Sequence, residues 1–81
     1  MQSILLLEDD TALGCGIRLA LQSPAVEIQL CRTLAQAQNA LADNSYDLLI
    51  LDINLPDGSG LELLEQVRKT SHVPVLVVLT A

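Results

Sequence analysis

Three acidic side chains and one hydroxyl stand where apolar runs of the sequence end. Glu8 and Asp9 follow the run at residues 4–7, Asp52 closes "LLILD", and Thr80 closes "VPVLVVLT". Carboxylates that meet without compensation raise one another's pKa or recruit a cation. A set of oxygen ligands suits Mg²⁺, which binds through a few carboxylates together with phosphate oxygens and water.

A carboxylate beside a divalent ion can also act as a nucleophile toward phosphorus and form an aspartyl phosphate. Asp52 is the candidate nucleophile, since a metal ion held with it would neutralise the charge of an incoming phosphoryl group. The hydroxyl of Thr80 could then donate a hydrogen bond to a phosphoryl oxygen. The spacing therefore indicates a metal site and a phosphoryl acceptor in one place.

Each of these residues also has a plainer interpretation. Acids after a strand favour the dipole of the next helix whatever the function, so Glu8 and Asp9 could belong to a solvated loop. Asp52 and the following "NLPDG" could form an ordinary turn, and Thr80 could simply end a strand. Their joint placement at strand ends favours the site, whereas we assign Asp10 to helix capping.

The composition limits the classes of function. The 81 residues suggest one domain or part of one, with an aliphatic core, because 51% are hydrophobic and 1% aromatic. A net charge of −6 argues against a nucleic-acid surface in this segment and fits a cation or a basic partner. Cys15 and Cys31 lack metal or redox spacing and are interpreted as core residues in a reducing compartment. With no membrane span or signal run, we expect a soluble, cytoplasmic chain.

Hydrophobic patterning predicts the order β-α-β-α-β-α-β. The apolar runs at 4–7, 48–51 and 75–79 are typical of strands buried on both faces of a parallel sheet, and "AVEIQLC" alternates as a further strand. Short loops favour helices on both faces, which is an α/β, doubly wound fold. In such a sheet, ligands bind beyond the carboxyl ends of the strands. The three acids would converge there if the first and third strands are neighbours.

Three helices are predicted between the strands. Gly14 and Gly16 are interpreted as close-packing positions in the first helix, which Asp10 or Thr11 caps, and Thr33 is the expected cap of the second. The inner faces are expected to hold Leu13, Ile17 and Leu21 in the first helix, Leu34, Ala37 and Leu41 in the second, and Leu61, Leu64 and Val67 or Arg68 in the third.

The stretches "ILLLEDD", "LLILDINLPDGSGLELLEQVR" and "VPVLVVLTA" resemble the receiver domain of bacterial two-component response regulators. The match covers essentially the whole chain and is most like regulators with a winged-helix DNA-binding output domain. The resemblance implies a flavodoxin-like receiver fold and Mg²⁺ as cofactor. It also implies a sensor histidine kinase as partner and contact with DNA only through an output domain that this chain does not contain.

By this resemblance Asp52 is the phosphoacceptor and Thr80 the switch hydroxyl. Mg²⁺ would be held by Glu8 and Asp9, by Asp52 itself, and by the backbone carbonyl of Asn54. Pro56 and Gly60 would shape the loop after the acceptor. The chain would not be an enzyme acting on a separate substrate, because only self-catalysed phosphotransfer and autodephosphorylation are implied.

The chain departs from the family at its end. Residues 1–81 are expected to be the N-terminal part of a receiver domain, (βα)3β, without the family's fifth strand, its phosphoryl-pairing Lys and its last two helices. The apolar edge "VLVVL" then predicts self-association or domain swapping.

Two other functions remain as alternatives. A degenerate or truncated receiver could act as an interaction or dimerisation module without phosphorylation. An aspartyl phosphatase is disfavoured, because Asn54 stands where its acid/base carboxylate belongs.

Overall fold

The computed structural model describes residues 1–78, so the expected role of Thr80 falls outside the described residues. The strands are β1 (Gln2–Leu7), β2 (Val26–Cys31), β3 (Leu48–Asp52), β4 (Asn54–Leu55), β5 (Gly58–Ser59) and β6 (Val75–Val78), and the helices are α1 (Thr11–Leu21), α2 (Leu34–Asp43) and α3 (Gly60–Arg68).

The main sheet is parallel and has the order β2-β1-β3-β6. Strands β1 and β3 are therefore neighbours. The strand order of the sheet reverses at this pair, because β2 is added on one side of β1 and β3 on the other. The strands β4 and β5 form a separate short antiparallel hairpin between β3 and α3. The predicted doubly wound α/β fold is confirmed, and β1 and β3 are neighbours, which is the condition for the three acids to converge.

Successive residues of the central strands face opposite layers. Leu5 and Leu7 of β1 and Leu51 of β3 pack with α2 and α3 in one layer. Ile4 and Leu6 lie in the other layer, which also contains Ile17 of α1. Both faces of the central strands are buried, which explains their continuous apolar sequence.

A pair of hydrogen bonds holds the amino ends of β1 and β3 together. The backbone N–H of Ser3 donates to Oδ2 of Asp47 at 2.8 Å, and the backbone N–H of Asp47 donates to the carbonyl of Ser3 at 2.7 Å. Leu7 then lies opposite Leu51 at the other end of the two strands.

The predicted helix caps are confirmed, whereas two of the predicted inner faces are partly wrong. Asp10 caps α1 and Thr33 caps α2. In α1, Ile17 packs on the sheet but Leu13 and Leu21 are exposed. The face of α2 is as expected, with Leu34 and Ala37 buried and Leu41 packed against them. In α3, the buried residues are Gly60, Leu63 and Val67, and Leu61 is exposed.

Gly14 and Gly16 differ in their surroundings. A Cβ atom on Gly14 would lie 3.0 Å from a methyl group of Leu30, so this position is closely packed as expected. A Cβ atom on Gly16 would meet nothing within 4 Å, so the same expectation for Gly16 is wrong. Cys31 is buried as predicted, but Cys15 is only half-buried.

Within residues 1–78, none of the helices combines the length and the apolar character that crossing a membrane requires.

Candidate functional site

Three carboxyl groups meet at the carboxyl edge of the central strands. The residue after Leu7 is Glu8 and the residue after Leu51 is Asp52, so the pairing of β1 with β3 places these two acids side by side. One carboxylate oxygen from each of Glu8, Asp9 and Asp52 lies within 4.8 Å of the others. Both Glu8 and Asp52 have only 2% of their surface exposed, whereas Asp9 is exposed. The arrangement is a half-buried acidic pocket that opens to solvent on the Asp9 side.

The backbone around Glu8 holds its side chain at this edge. The N–H of Glu8 donates to the carbonyl of Cys31 at 2.9 Å, which extends the pairing of β1 with β2 by one residue. The N–H of Asp10 donates to Oε2 of Glu8 at 3.4 Å.

Asp10 caps a helix, whereas its acidic neighbours Glu8 and Asp9 belong to the acidic pocket. Its Oδ1 accepts a hydrogen bond from the N–H of Leu13 at 3.0 Å, which caps α1. This agrees with the capping role predicted for it.

Asp52 ends β3 at a point where the chain turns sharply. Its Oδ1 accepts a hydrogen bond from the N–H of Asn54 at 3.3 Å, and the N–H of Gly60 donates to the carbonyl of Ile53 at 3.1 Å. A Cβ atom on Gly60 would lie 2.0 Å from the carbonyl oxygen of Asp52, so only glycine fits there. The loop thus leaves Asp52 and returns to its backbone within eight residues.

The loop after Asp52 is the β4–β5 hairpin. Asn54 pairs with Ser59, and Leu55 pairs with Gly58. Pro56 lies in the connecting turn, where its fixed φ angle favours the reversal. The hairpin begins at Asn54, whose backbone N–H contacts Asp52 at the acidic pocket.

The electrostatics of the pocket are visible at Glu8. The pKa of Glu8 is raised from 4.5 to about 7, chiefly by burial, and a hydrogen bond with Asp52 and the charge of Asp52 contribute to this rise. The backbone N–H of Asp10 acts in the opposite direction. The side chains that act on Glu8 are thus acids that disfavour its ionised form.

The donor set fits a hard divalent cation. Three carboxylates offer oxygen ligands only, and two of them are buried, where a nearby positive charge would relieve their repulsion. Mg²⁺ is bound in proteins by one or two carboxylates while it keeps several waters, and the exposed side of the pocket can supply these.

One contact near the site was not predicted from the sequence. Asp57, in the turn of the hairpin, accepts hydrogen bonds from the backbone N–H groups of Leu34 and Ala35 at the start of α2. The only signal for Asp57 in the sequence is the turn pattern "PDG", which predicts a local turn and not a partner 23 residues away.

The fold and the acidic edge define the receiver class, and comparison with known proteins agrees. The family model described as the response regulator receiver domain matches residues 4–81. The chain belongs to this family.

Two curated relatives illustrate the likeness. The response regulator protein PmrA of Pseudomonas aeruginosa is 41% identical over 78 residues, which are 96% of this chain and 35% of PmrA. The KDP operon transcriptional regulatory protein KdpE of Escherichia coli is 36% identical over 77 residues, 95% of this chain and 34% of KdpE. The chain thus spans about a third of the length of these relatives.

Solved structures agree with the fold. The non-phosphorylated receiver domain of HemR from Leptospira biflexa has a TM-score of 0.88 at 35% identity. The match covers 98% of this chain and 64% of the HemR chain. The MaeR response regulator bound to beryllium trifluoride has a TM-score of 0.89 at 34% identity, with 100% of this chain and 69% of that chain covered.

Proposed function

We propose that this receiver domain accepts a phosphoryl group on Asp52 and that the acidic pocket holds the Mg²⁺ ion that the transfer needs. The observation that carries the proposal is the meeting of Glu8, Asp9 and Asp52 at one strand edge, with their oxygens within 4.8 Å. Asp52 is buried at the end of the central strand β3, whereas Asp9 lies on the open side of the pocket. A donor could therefore approach Asp52 from solvent past Asp9.

The metal ligands would be the carboxylates of Glu8, Asp9 and Asp52 and the backbone carbonyl of Asn54. When bound, Mg²⁺ supplies positive charge that offsets the negative charge of the phosphoryl oxygens. Glu8 must give up its proton to serve as an ionised ligand, because burial and Asp52 favour its protonated form near neutral pH.

The chemical step is a phosphoryl transfer between two side chains. A carboxylate oxygen of Asp52 bonds to phosphorus while the P–N bond of a phosphohistidine breaks. The bonding electron pair returns to the imidazole ring, and the products are an aspartyl phosphate and an unphosphorylated His. Attack of water on phosphorus later restores the Asp52 carboxylate and releases inorganic phosphate. The chain turns over no separate substrate in this scheme.

The partners follow from the same chemistry. The donor would be a sensor histidine kinase, and the output would be control of transcription in the cytoplasm through a winged-helix DNA-binding domain outside these residues. The name of KdpE, a transcriptional regulatory protein, supports this output. Thr80 would donate a hydrogen bond from its hydroxyl to the phosphoryl group, so that phosphorylation biases a pre-existing conformational equilibrium.

The experiment that tests the proposal is intact-mass measurement after incubation with Mg²⁺ and acetyl phosphate. We expect one added phosphoryl group in the wild-type chain and none in Asp52→Asn, because the amide is not a nucleophile toward phosphorus. Asp43→Asn, which changes an exposed acid of α2, is the matched control and should be labelled like wild type.

Equal labelling of Asp52→Asn and wild type would reject Asp52 as the acceptor. If wild type is not labelled at all, the interaction module without phosphorylation becomes the better description.

We also propose that the chain self-associates through β6. This strand lies at the edge of the sheet in the part of the chain that the structure describes, and its Leu76 has 55% of its surface exposed. An exposed apolar edge strand pairs readily with another chain.

A further inference from the structure

A carboxylate outside the acidic pocket joins the hairpin after Asp52 to a different helix. Oδ1 of Asp57 accepts a hydrogen bond from the N–H of Leu34 at 2.8 Å, and Oδ2 accepts one from the N–H of Ala35 at 3.1 Å. These two bonds lower the pKa of Asp57, so the side chain is ionised at neutral pH. Its charge also complements the positive end of the α2 dipole.

The bonds from Asp57 do not replace a missing cap, because α2 has caps of its own. The N–H of Gln36 donates to Oγ1 of Thr33 at 3.1 Å, and the N–H of Arg32 donates to Oε1 of Gln36 at 2.8 Å. Side chains within residues 32–36 therefore already cap the start of α2. What Asp57 adds is a link between this helix start and the hairpin.

The hairpin needs such a link, because its own pairing is short. Its strands β4 and β5 have two residues each, and so small a hairpin is marginal by itself. Its second contact with α2 is at Gly58, which has a φ of +155° and whose Cβ, if present, would lie 2.9 Å from Cδ2 of Leu34. The turn thus rests on the same residue whose N–H group Asp57 binds.

The other end of the hairpin reaches the acidic pocket. The N–H of Asn54 donates to Oδ1 of Asp52, and the carbonyl of Asn54 is the proposed backbone ligand of the metal. We propose that Asp57 is a positioning residue: by holding the β4–β5 hairpin against the start of α2, it fixes the backbone of Asn54 and the carboxylate of Asp52 for metal binding. The metal-binding part of this inference rests on the proposed function.

The test compares Asp57→Ala with Thr33→Ala in the whole 81-residue chain. Both variants remove hydrogen bonds from the start of α2, but only Asp57→Ala cuts the link to the hairpin. The first readout is hydrogen exchange at the N–H groups of Asn54 and Gly60, measured without metal. The second is Mg²⁺ affinity, measured by calorimetric titration with MgCl₂.

We expect Asp57→Ala to accelerate exchange at both amides and to weaken Mg²⁺ binding on the order of tenfold. Thr33→Ala should leave both values as in wild type, although it lowers stability. Asp57→Asn keeps one acceptor oxygen and should fall between wild type and Asp57→Ala.

Equal effects of Asp57→Ala and Thr33→Ala on exchange and affinity would overturn the inference and leave Asp57 as an additional helix cap. The exchange readout needs no metal, so it decides the link even if the wild-type chain binds no Mg²⁺. That last result would count against the proposed function and against the metal-binding part of the inference, whereas faster exchange in Asp57→Ala alone would still establish the link.

Discussion

The charge of Glu8 depends on the fold around it. It is nearly fully buried beside Asp52, and its pKa is raised from 4.5 to about 7, chiefly by burial. The folded chain therefore holds the proton of Glu8 more tightly than the unfolded chain does. The stability that this provides is fully present below pH 4.5 and is lost as the pH rises to about 7.

A mutation at this residue tests the pH dependence. In metal-free buffer we expect the free energy of unfolding of wild type to fall by on the order of 1 to 3 kcal/mol between pH 5 and pH 8. Glu8→Gln should show a smaller decrease, because its amide does not titrate. Urea unfolding at both pH values measures the difference.

Glu65→Gln, at an exposed position of α3, is the matched control and should follow wild type. An equal pH dependence in Glu8→Gln and wild type would contradict the role given to Glu8.

At the scale of the elements, two glycines show how differently the same residue type can act. Gly60 begins α3 against the carbonyl oxygen of Asp52, 2.0 Å from where a Cβ atom would be, whereas Gly16 lies on an open side of α1. An alanine at residue 60 must push α3 away from the end of β3. An alanine at residue 16 meets no neighbour and improves helix propensity.

We therefore expect Gly60→Ala to lower the free energy of unfolding by about 1–3 kcal/mol or more, and Gly16→Ala to raise it by roughly 0.5–1 kcal/mol. Urea denaturation of the two variants checks both directions. If Gly60→Ala is as stable as wild type, this result contradicts the claim that the start of α3 lies too close to the carbonyl oxygen of Asp52 to accept a side chain.

The order of the four main-sheet strands and the three helices, and two caps, could be predicted from the sequence, but the β4–β5 hairpin and the rotation of two helices could not. In α1, apolar residues occur all around the helix, so the 3.6-residue period does not select one face. In α3, the leucines at 61, 63 and 64 fit two alternative stripes. The contact of Gly60 with the end of β3 selects the stripe that contains Leu63, and no local pattern reveals that contact.

The candidate site also has a part that the sequence predicted and a part that it did not. The acids at the ends of apolar runs predicted a common edge, because parallel strands bring their carboxyl ends together. The contact between Asp57 and α2 depends on how a hairpin rests on a distant helix. The predicted role of Thr80 stays a prediction, since this residue lies outside the described part of the chain.

For the whole molecule, the arrangement of layers bears on self-association. In the described residues, α2 and α3 pack on one face of the sheet and α1 packs on the other, and β6 forms one edge. The net charge of −6 opposes close approach of two copies, so apolar pairing at the edge must outweigh it.

Sedimentation velocity tests self-association through β6. We expect wild type to form dimers or larger species as its concentration rises. Leu76→Lys should shift the population toward monomer, because a charged side chain on an exposed edge strand disfavours pairing with another chain. Leu19→Lys, at an exposed position on α1, is the matched control and should associate like wild type.

A wild-type chain that stays monomeric at all concentrations would reject self-association. Equal association of wild type and Leu76→Lys would place the contact elsewhere.

The hydrogen bonds between Ser3 and Asp47 help to fix the register of β1 against β3, and this register determines where the acids of the pocket lie. Parallel neighbours have no tight turn to align them, so their alignment must be set along their length. A slip of one position would displace Asp52 by about 3.3 Å along the sheet and turn its side chain to the opposite face. The separation of the carboxyl groups of Glu8 and Asp52 thus depends on a register that two hydrogen bonds at the opposite ends of these strands help to set.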